Sequence, residues 1–298
     1  MRPDPDRQCG HPKLESVTPR GCLPAGLRDT FPAMSLASLA GLPPPWGRHT
    51  LPEIGEKSFR IGPRHLRMIF RDGEIRIAVQ DEPGPARPDT VWSRWATPGG
   101  EREVMLQPVF PDRAVVLEPE QPFHLLPRAS ARIYVRVPLS IRFQLPVAGP
   151  PEANLLLDEI PTVSLSDTWW GGMAEGELAY WLTTTARREM RPELFQPHLA
   201  VCPLFVTNGA ASDLRIEKLS LRVAHLSLFA RGGELWSDEC RVSWQGDGEE
   251  SRVDVSGQPP AEAPNAERVA APRTPVQRGL RARTFGRLAS LSGLGGPG

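Results

Sequence analysis

Five carboxylates lie close together along one part of the chain, where a pair of acids could hydrolyse a glycosidic bond. They are Asp158, Glu159, Asp167, Glu175 and Glu177. Such hydrolysis uses two carboxyl groups about 5–9 Å apart, one of which donates a proton while the other acts as nucleophile or base. Surface loops of this composition commonly offer such pairs, so the sequence favours no particular pair and predicts no catalytic residue.

Other sequence patterns with known chemistry are weak or missing. His198 and Cys202 are four residues apart, and His225 and Cys240 follow, which is a suitable set of zinc ligands. Residues four apart in a strand share a face but lie about 13 Å from each other, so we expect no metal site. The sequence contains no phosphate-binding glycine loop and no nucleophile elbow, and no cofactor is predicted.

Aromatic side chains and glycines fill residues 162–189, which we interpret as the candidate binding site. Its candidate ligand-binding residues are Trp169, Trp170, Tyr180 and Arg187. Exposed aromatic rings of a β protein can stack on sugar rings or bases. Neighbouring residues of an extended chain point in opposite directions, so at most one tryptophan is exposed if the other is in the core. The alternative that we favour is a glycine-permitted turn whose tryptophan plugs one end of the fold.

A β-hairpin is predicted before this segment. Asp72 and Gly73 form a favoured two-residue turn, because glycine supplies the positive φ that a type I′ turn requires. Folding the chain there pairs Arg71 with Glu74 and Phe70 with Ile75, and it also pairs Met68 with Ile77. The apolar pairs then share one face of the hairpin.

Residues 131–145 alternate strictly between apolar and polar side chains, which indicates a half-buried strand. Every odd position is apolar, and Pro138 predicts a bend or interruption. The even positions carry Arg132, Arg136 and Arg142. These arginines could bind an anion, but we favour a solvated sheet face.

The later part of the chain also reads as strands. We predict strands at residues 176–185 and 199–207, the second of which is apolar on both faces and therefore central. No amphipathic helix of ten or more residues is evident between 46 and 257. The predicted fold class is all-β: a mostly antiparallel β-sandwich, or two abutting β units, with disordered termini.

Domain limits follow from composition. Residues 1–45 are rich in Pro, Gly, Arg and Asp, so we predict a disordered segment in which Met34 is an alternative translation start. Residues 46–257 form the predicted all-β domain, with a possible sub-boundary near 147–151. Residues 258–298 are predicted to be a disordered basic tail.

Overall composition narrows the classes of function. The 35 basic residues balance 35 acidic ones, so no general attraction to nucleic acid is expected. The four cysteines are not spaced as a disulfide framework, and no apolar run is long enough to cross a membrane. We therefore expect a soluble cytoplasmic protein.

Several short motifs resemble an uncharacterised prokaryotic family, domain of unknown function 432. They include residues 166–169, Gly171, residues 176–178 with Tyr180, and Arg187. Residues 134–138 and 202–208 also fit the resemblance, which would cover about residues 46–240. It implies a recurring domain and no assigned activity.

We therefore predict a non-enzymatic binding or scaffold module with a possible protein partner. One alternative is a carbohydrate-active enzyme or sugar-binding module that uses the Trp169/Trp170 loop. The other is a peripheral partner of a membrane complex, attached through the arginine-rich tail.

Overall fold

The computed structural model describes residues 42–81, 90–149, 153–247, 250–275 and 279–286. Three complete 3₁₀ turns lie within these ranges, at Pro98–Gly100, Pro192–Leu194 and Val223–His225. No helix in the same ranges has the length and apolar character needed to cross a membrane.

Strands make up most of the regular structure in the described ranges. In chain order they are β1 Gly47–Thr50, β2 Lys57–Ile61, β3 Arg64–Arg71, β4 Glu74–Gln80, β5 Ser93–Ala96, β6 Glu103–Val109, β7 Val115–Leu117, β8 Phe123–Leu125, β9 Ser130–Pro138, β10 Ser140–Leu145, β11 Leu155–Pro161, β12 Ser166–Trp170, β13 Glu177–Trp181, β14 Leu199–Asn208, β15 Leu214–Ile216, β16 Leu219–Leu221, β17 Leu228–Arg231, β18 Glu234–Ser237, β19 Cys240–Trp244, β20 Ser251–Val255, β21 Glu267–Ala270 and β22 Leu280–Ala282.

These strands form several sheets, and most of their pairings are antiparallel. The orders are β1-β6-β10-β11, β2-β3-β4-β5, β12-β13-β7-β16, the pair β15-β8, and β21-β17-β18-β14-β19-β20-β22 with β9 also paired to β14. Parallel pairing joins β13 to β7 and β14 to both β18 and β19. The predicted all-β, mostly antiparallel class is confirmed.

The predicted hairpin is confirmed with its register. Arg71 lies opposite Glu74, and Met68 lies opposite Ile77. Asp72 has φ 55° and Gly73 has φ 75°, as the type I′ turn requires. The Glu74 carboxylate forms its ion pairs with Arg76 and Arg94, so the residue directly across the ladder is not its partner.

The alternating segment 131–145 splits into β9 and β10, which belong to different sheets. The chain changes sheet immediately after Pro138, and all the odd-numbered side chains are buried. The even face differs from the solvated face that we expected. Arg132 is bound by Glu262 and Glu239, and Tyr134 is only 8% exposed, because other chain segments cover this face.

Strand β14 is the central strand that its apolar sequence predicted. It pairs with β9 along one edge. Along its other edge it pairs first with β18 at Val201 and then with β19 from Leu204 onward. Ser237, Asp238 and Glu239 therefore fall where β18 ends and β19 begins, and Asp238 is fully buried there.

Strands β21 and β22 lie beyond residue 257, in the segment that the sequence assigned to a disordered tail. Val269 of β21 is fully buried, and Glu262 binds Arg132 and the Tyr134 hydroxyl. The described residues 258–275 and 279–286 are thus ordered parts of the fold. Strands of three or four residues between prolines carry too little periodicity to be recognised in a sequence.

The remaining expectations about domain limits stay predictions. Residues 1–41, with the proposed start at Met34, lie outside the described residues, as do residues 287–298. The possible sub-boundary near 147–151 is only partly described, because residues 150–152 lie outside it. Leu106 and Leu204, from either side of that point, belong to one hydrophobic cluster.

Candidate functional site

The candidate segment folds into a hairpin of β12 and β13, connected through residues 171–176. Trp169 lies opposite Leu178 and Asp167 lies opposite Tyr180, so these four side chains share one face. Strand β13 continues the sheet by pairing in parallel with β7. In the described strands β12 pairs with β13 alone, so it is the edge of this sheet.

Trp170 fills the inner side of the hairpin. It is 2% exposed and packs with Ala114, Val116 and Ala179. Its indole Nε1 donates a hydrogen bond of 2.7 Å to the carbonyl oxygen of Arg283. This residue is therefore the buried plug that the sequence favoured, and its acceptor comes from the C-terminal part of the fold.

Trp169 points outward, and its side chain remains 45% exposed. The indole Nε1 donates a 3.0 Å hydrogen bond to the carbonyl oxygen of Gly172. A Cβ placed on Gly176 would lie 2.3 Å from this Nε1, so the ring occupies the space that a glycine leaves. Gly171 has φ 108°, which favours glycine at that position too. The turn thus fixes an exposed ring in one position.

Two further exposed apolar side chains belong to the same hairpin. Leu178, directly across the ladder, is 44% exposed, and Met173 in the connecting turn is 85% exposed. We call Trp169, Met173 and Leu178 the outer hairpin face. Soluble proteins expose single apolar residues commonly, but three in one hairpin mark a candidate contact surface.

A polar network borders the outer hairpin face. Arg113 pairs with Asp167 at 2.9 Å, and its guanidinium lies 5.1 Å from the centre of the Tyr180 ring. The Tyr180 hydroxyl donates to Asp112 at 2.9 Å. Burial and then this hydrogen bond raise the pKa of Tyr180. Burial and the hydrogen bond to Asp112, just before β7, thus favour the neutral form of the Tyr180 phenol.

Arg187, the fourth predicted site residue, lies elsewhere. Its backbone bridges to Tyr134 of β9, and its side chain lines a cleft with Glu120 and Phe123. Trp170 lines a different and larger cleft. The structure therefore brings together Trp169, Trp170 and Tyr180 in one hairpin, without Arg187.

The larger cleft, of about 740 Å³, opens beside the turn of the hairpin, where Gly171 and Gly172 line it. Its aromatic lining residues are Trp170, Trp244 and Phe285. The charged lining residues of both signs are largely paired: Arg215 binds Glu217 at 2.7 Å, and Asp213 binds His124 at 2.6 Å. Its volume and mixed lining suit a small polar molecule.

The five carboxylates considered for catalysis are mostly bound to arginines. Glu159 contacts Arg142 and Arg273, and the other pairs are Asp167–Arg113, Glu177–Arg222 and the looser Glu175–Arg283. The fifth, Asp158, accepts the backbone N–H of Glu159. These carboxylates are therefore engaged in contacts within the fold.

The histidines and cysteines considered for zinc serve other roles. Cys202 and Cys240 are free and fully buried, and burial raises the pKa of the Cys202 thiol to about 12. Burial also lowers the pKa of His198, with a further contribution from the nearby Arg136 charge. No group of three or more His, Cys, Asp or Glu side chains arranged to hold a metal is found in the described ranges.

Two arginines of the predicted membrane-binding tail are engaged within the fold. Arg273 donates to the carbonyl oxygen of Phe110 at 2.7 Å and pairs with Glu159. Arg283 supplies the carbonyl oxygen that accepts from Trp170. These arginines therefore act as internal contacts of the domain.

The described residues define an all-β protein whose hairpin carries a surface tryptophan hydrogen-bonded to its own turn. The family described as "Protein of unknown function (DUF432)" matches the chain over residues 45–289. The chain therefore belongs to this family, and the match extends beyond the coverage that the sequence motifs implied. Neither the curated proteins nor the solved structures gave a match.

Sequence reasoning missed several residues that shape this surface. Leu178 and Met173 were not singled out, although the alternation of 177–181 against 166–170 would have placed Leu178 beside Trp169. Asp112 and Arg113 come from a distant part of the chain and carry no local signal. Only the parallel pairing of β7 with β13 brings them to the hairpin.

Proposed function

We propose that this protein is a non-enzymatic, cytoplasmic binding module that contacts a protein partner through the outer hairpin face. The observation that carries the proposal is the state of Trp169, which is exposed yet fixed by its bond to Gly172 and its position against Gly176. The free, buried thiols of Cys202 and Cys240 support a reducing compartment.

A fixed, exposed tryptophan suits recognition. Ordering a flexible side chain at an interface costs about 0.5–1.5 kcal/mol, and a ring already held in place avoids most of that cost. Tryptophan is also enriched among the residues that dominate binding energy. Leu178, directly across the ladder, and Met173, in the connecting turn, add exposed apolar surface to the same hairpin.

The position of β12 at the edge of its sheet adds a second way to bind. An edge strand presents backbone N–H and C=O groups that an extended segment of another chain can pair with. In the described strands β12 has β13 as its one neighbour. A partner strand beside β12 would lie next to Trp169, so main-chain pairing and ring contact could act together.

Sugar binding is the second candidate function. The polar network of Arg113, Asp167 and Tyr180 lies on the same face as Trp169. An exposed indole beside hydrogen-bonding groups is the combination that stacks on a sugar ring and holds its hydroxyls. The carboxylates here are arginine-bound, so this candidate is a binding module without hydrolysis.

Affinity capture with matched variants tests the proposal. Tagged wild type, Trp169→Ala and Ile54→Ala would each be incubated with extract of the source cells, and bound proteins quantified by mass spectrometry. Ile54 is 93% exposed and lies between β1 and β2, so it controls for the loss of any exposed apolar side chain.

The proposal expects a protein that is captured by wild type and Ile54→Ala and lost with Trp169→Ala. Identical capture by all three would contradict it. A glycan array with the same three proteins tests the second candidate, which requires a sugar signal that disappears only with Trp169→Ala.

A further inference from the structure

The larger cleft, beside the turn of the β12–β13 hairpin, is built from parts of the chain that are far apart in sequence. Its lining includes Trp244 at the end of β19, with Arg283 and Phe285 from the segment after β22. The backbone of Phe285 forms a bridge to Leu219 of β16, which holds that segment in place. Ordered strands and their immediate continuations therefore position the lining groups.

The pairing of three neighbouring strands sets the distance across this part of the cleft. Strand β20 pairs with β19 on one side and with β22 on the other, where Ser251 lies opposite Ala282. Trp244 is the last residue of β19, and Arg283 directly follows β22. Two strand spacings separate these positions, so their backbones lie about 10 Å apart. Side chains from both positions can therefore reach one small molecule.

Trp244 carries a hydrogen-bond donor that the fold does not use. The residue is only 4% exposed. The other tryptophans that are buried to this degree all donate from Nε1 to an oxygen of the protein: Trp46, Trp170 and Trp236. Within the described ranges Trp244 Nε1 has no acceptor, and it is not one of the unpaired atoms that are closed to solvent. An unpaired donor on a buried ring favours an acceptor supplied by a ligand.

Two lining groups of opposite charge are not held in close ion pairs. Arg283 pairs loosely with Glu175, at 3.7 Å, and that carboxylate is 81% exposed. The Arg283 guanidinium lies over the hairpin turn, where a Cβ on Gly171 would be 3.6 Å from Nη1. Asp247 lines the cleft and has no ion-pair partner in the described part of the chain. One free charge of each sign suits a ligand that carries both an anionic and a cationic group.

We propose that this cleft binds a small zwitterion, either a free amino acid or a short peptide. The ligand carboxylate accepts from Trp244 Nε1 and the Arg283 guanidinium, and the ligand ammonium lies beside Asp247. Hydrogen bonds to a charged group are stronger than those between neutral groups. The Phe285 ring offers an apolar surface to the ligand side chain.

The charges of the whole lining favour a zwitterion over a simple ion. The lining holds three carboxylates and two guanidinium groups, which leaves a net charge of −1 and disfavours a simple anion. A simple amine has no acceptor for the Trp244 N–H. The cleft volume of about 740 Å³ lies within the range of small-molecule sites and has room for either kind of ligand.

Thermal unfolding with a panel of ligands is the first test. Tm would be measured for wild type and Trp244→Phe, a variant that keeps an aromatic ring but lacks the donor. The ligands are the standard amino acids and the dipeptides that each forms with glycine, at about 10 mM. For a Kd of about 1 mM, wild type should gain about 2–4 °C. The variant should gain about a third as much, because loss of the hydrogen bond raises the Kd about ten-fold.

The panel also separates the two sources of the ligand. A larger gain with a free amino acid than with its dipeptides indicates an amino acid site, and the reverse indicates a peptide site. A panel in which no ligand stabilises wild type more than Trp244→Phe would overturn the proposal.

The indole N–H signal of Trp244 gives a direct readout in the wild-type protein. The chain has eight tryptophans, and the signal that is missing from the spectrum of Trp244→Phe belongs to Trp244. A saturating amount of the best ligand from the panel should move this signal to lower field, because the N–H gains an acceptor. The signal of Trp236, whose N–H already binds Glu234, should stay in place. An unmoved Trp244 signal would overturn the proposal.

Asp247→Asn tests the position of the ligand ammonium. The Kd of the best ligand and of its analogue without the amino group would be measured by calorimetry for wild type, Asp247→Asn and Asp81→Asn. Asp81 is a matched control, since it is 69% exposed and lies after β4, outside the cleft. The preference for the amino group should fall about two- to five-fold in Asp247→Asn alone. An equal preference in all three proteins would overturn the proposed role of Asp247.

Discussion

The buried Asp238 should make the stability of this protein fall as the pH rises from about 4 to about 7. This carboxyl lies between β18 and β19 and is fully buried. Its Oδ1 accepts the backbone N–H of Ser227 at 3.2 Å, while its Oδ2 is buried without a hydrogen-bond partner. Burial is the largest influence on this group, and it raises the pKa from 3.8 to about 7.

The sign and size of the effect of Asp238 on stability follow from its pKa values in the unfolded and folded chain. In the unfolded chain Asp238 ionises near its ordinary pKa of 3.8, whereas in the folded chain it keeps its proton until about pH 7. The folded state therefore holds more protons between these values, and its stability is lost as the pH rises across that window. A difference of about three pKa units corresponds to about 4 kcal/mol, with a slope of at most about 1.4 kcal/mol per pH unit.

The substitution Asp238→Asn removes this titration while keeping an oxygen that can accept from Ser227. The free energy of unfolding would be measured by urea denaturation at intervals from pH 4 to 8 for wild type and variant. We expect the free energy of unfolding of the variant to rise relative to that of wild type as the pH increases, by about 3–4 kcal/mol between pH 4 and 8. The buried amide NH₂ of the variant lowers its free energy of unfolding by about 1–3 kcal/mol at every pH. The change of stability with pH is therefore the informative quantity.

Asp254→Asn is the matched control, since that carboxylate is 42% exposed and pairs with Arg252. Its pH profile gives the background against which the slope of Asp238→Asn is judged. If Asp238→Asn and wild type ran parallel across pH 4–8, the assignment of a raised pKa to Asp238 would be refuted.

Three further substitutions test the packing around the hairpin and the C-terminal strands. Gly176→Ala should lower stability by about 1–3 kcal/mol and weaken partner capture, because its Cβ would clash with the Trp169 indole. Gly172→Ala, which has room for a Cβ, should do neither. Equal urea midpoints for the two variants would contradict this. Trp170→Phe should cost about 2–4 kcal/mol in urea denaturation through the lost bond to a buried carbonyl and the lost ring volume, and a cost below about 0.5 kcal/mol would count against the plug role. Glu262→Gln should cost about 1–3 kcal/mol and speed proteolysis after residue 257, because it weakens the contacts with Arg132 and Tyr134, and unchanged proteolysis would contradict an ordered segment there.

Local patterns allowed much of the fold to be predicted. The Asp72-Gly73 turn fixes its register through backbone conformation, and the strict alternation of 131–145 identifies its buried face. Both signals lie within one stretch of chain. Even the break at Pro138 follows from the missing N–H donor of proline.

Features that depend on distant contacts could not be predicted in this way. The even face of β9 reads as solvated because nothing nearby in sequence reveals that Glu262, 130 residues from Arg132, covers it. For the same reason the sequence after residue 257 predicts a tail. Its strands are short, and their order depends on partners in β17 and β20.

In the candidate site, too, local sequence predicts some features and distant contacts decide the others. Alternation of side chains predicts that at most one of Trp169 and Trp170 is exposed if the other is in the core, though not which one. The choice depends on Gly176, which makes room for one indole, and on the carbonyl of Arg283, which binds the other. Arg187 was grouped with the tryptophans because it is near in sequence, but the chain turns away after β13 and places it in another cleft.

Hydroxyl-radical footprinting is the most direct test of the outer hairpin face as a contact surface. The oxidation rates of Trp169 and Met173 would be measured by mass spectrometry for the purified protein and for the protein recovered in native complexes from cell extract. Binding through this face predicts rapid oxidation of both residues in the free protein and at least several-fold protection in the complex, with Ile54 unchanged. Equal oxidation of Trp169 in the two states would contradict the proposed function.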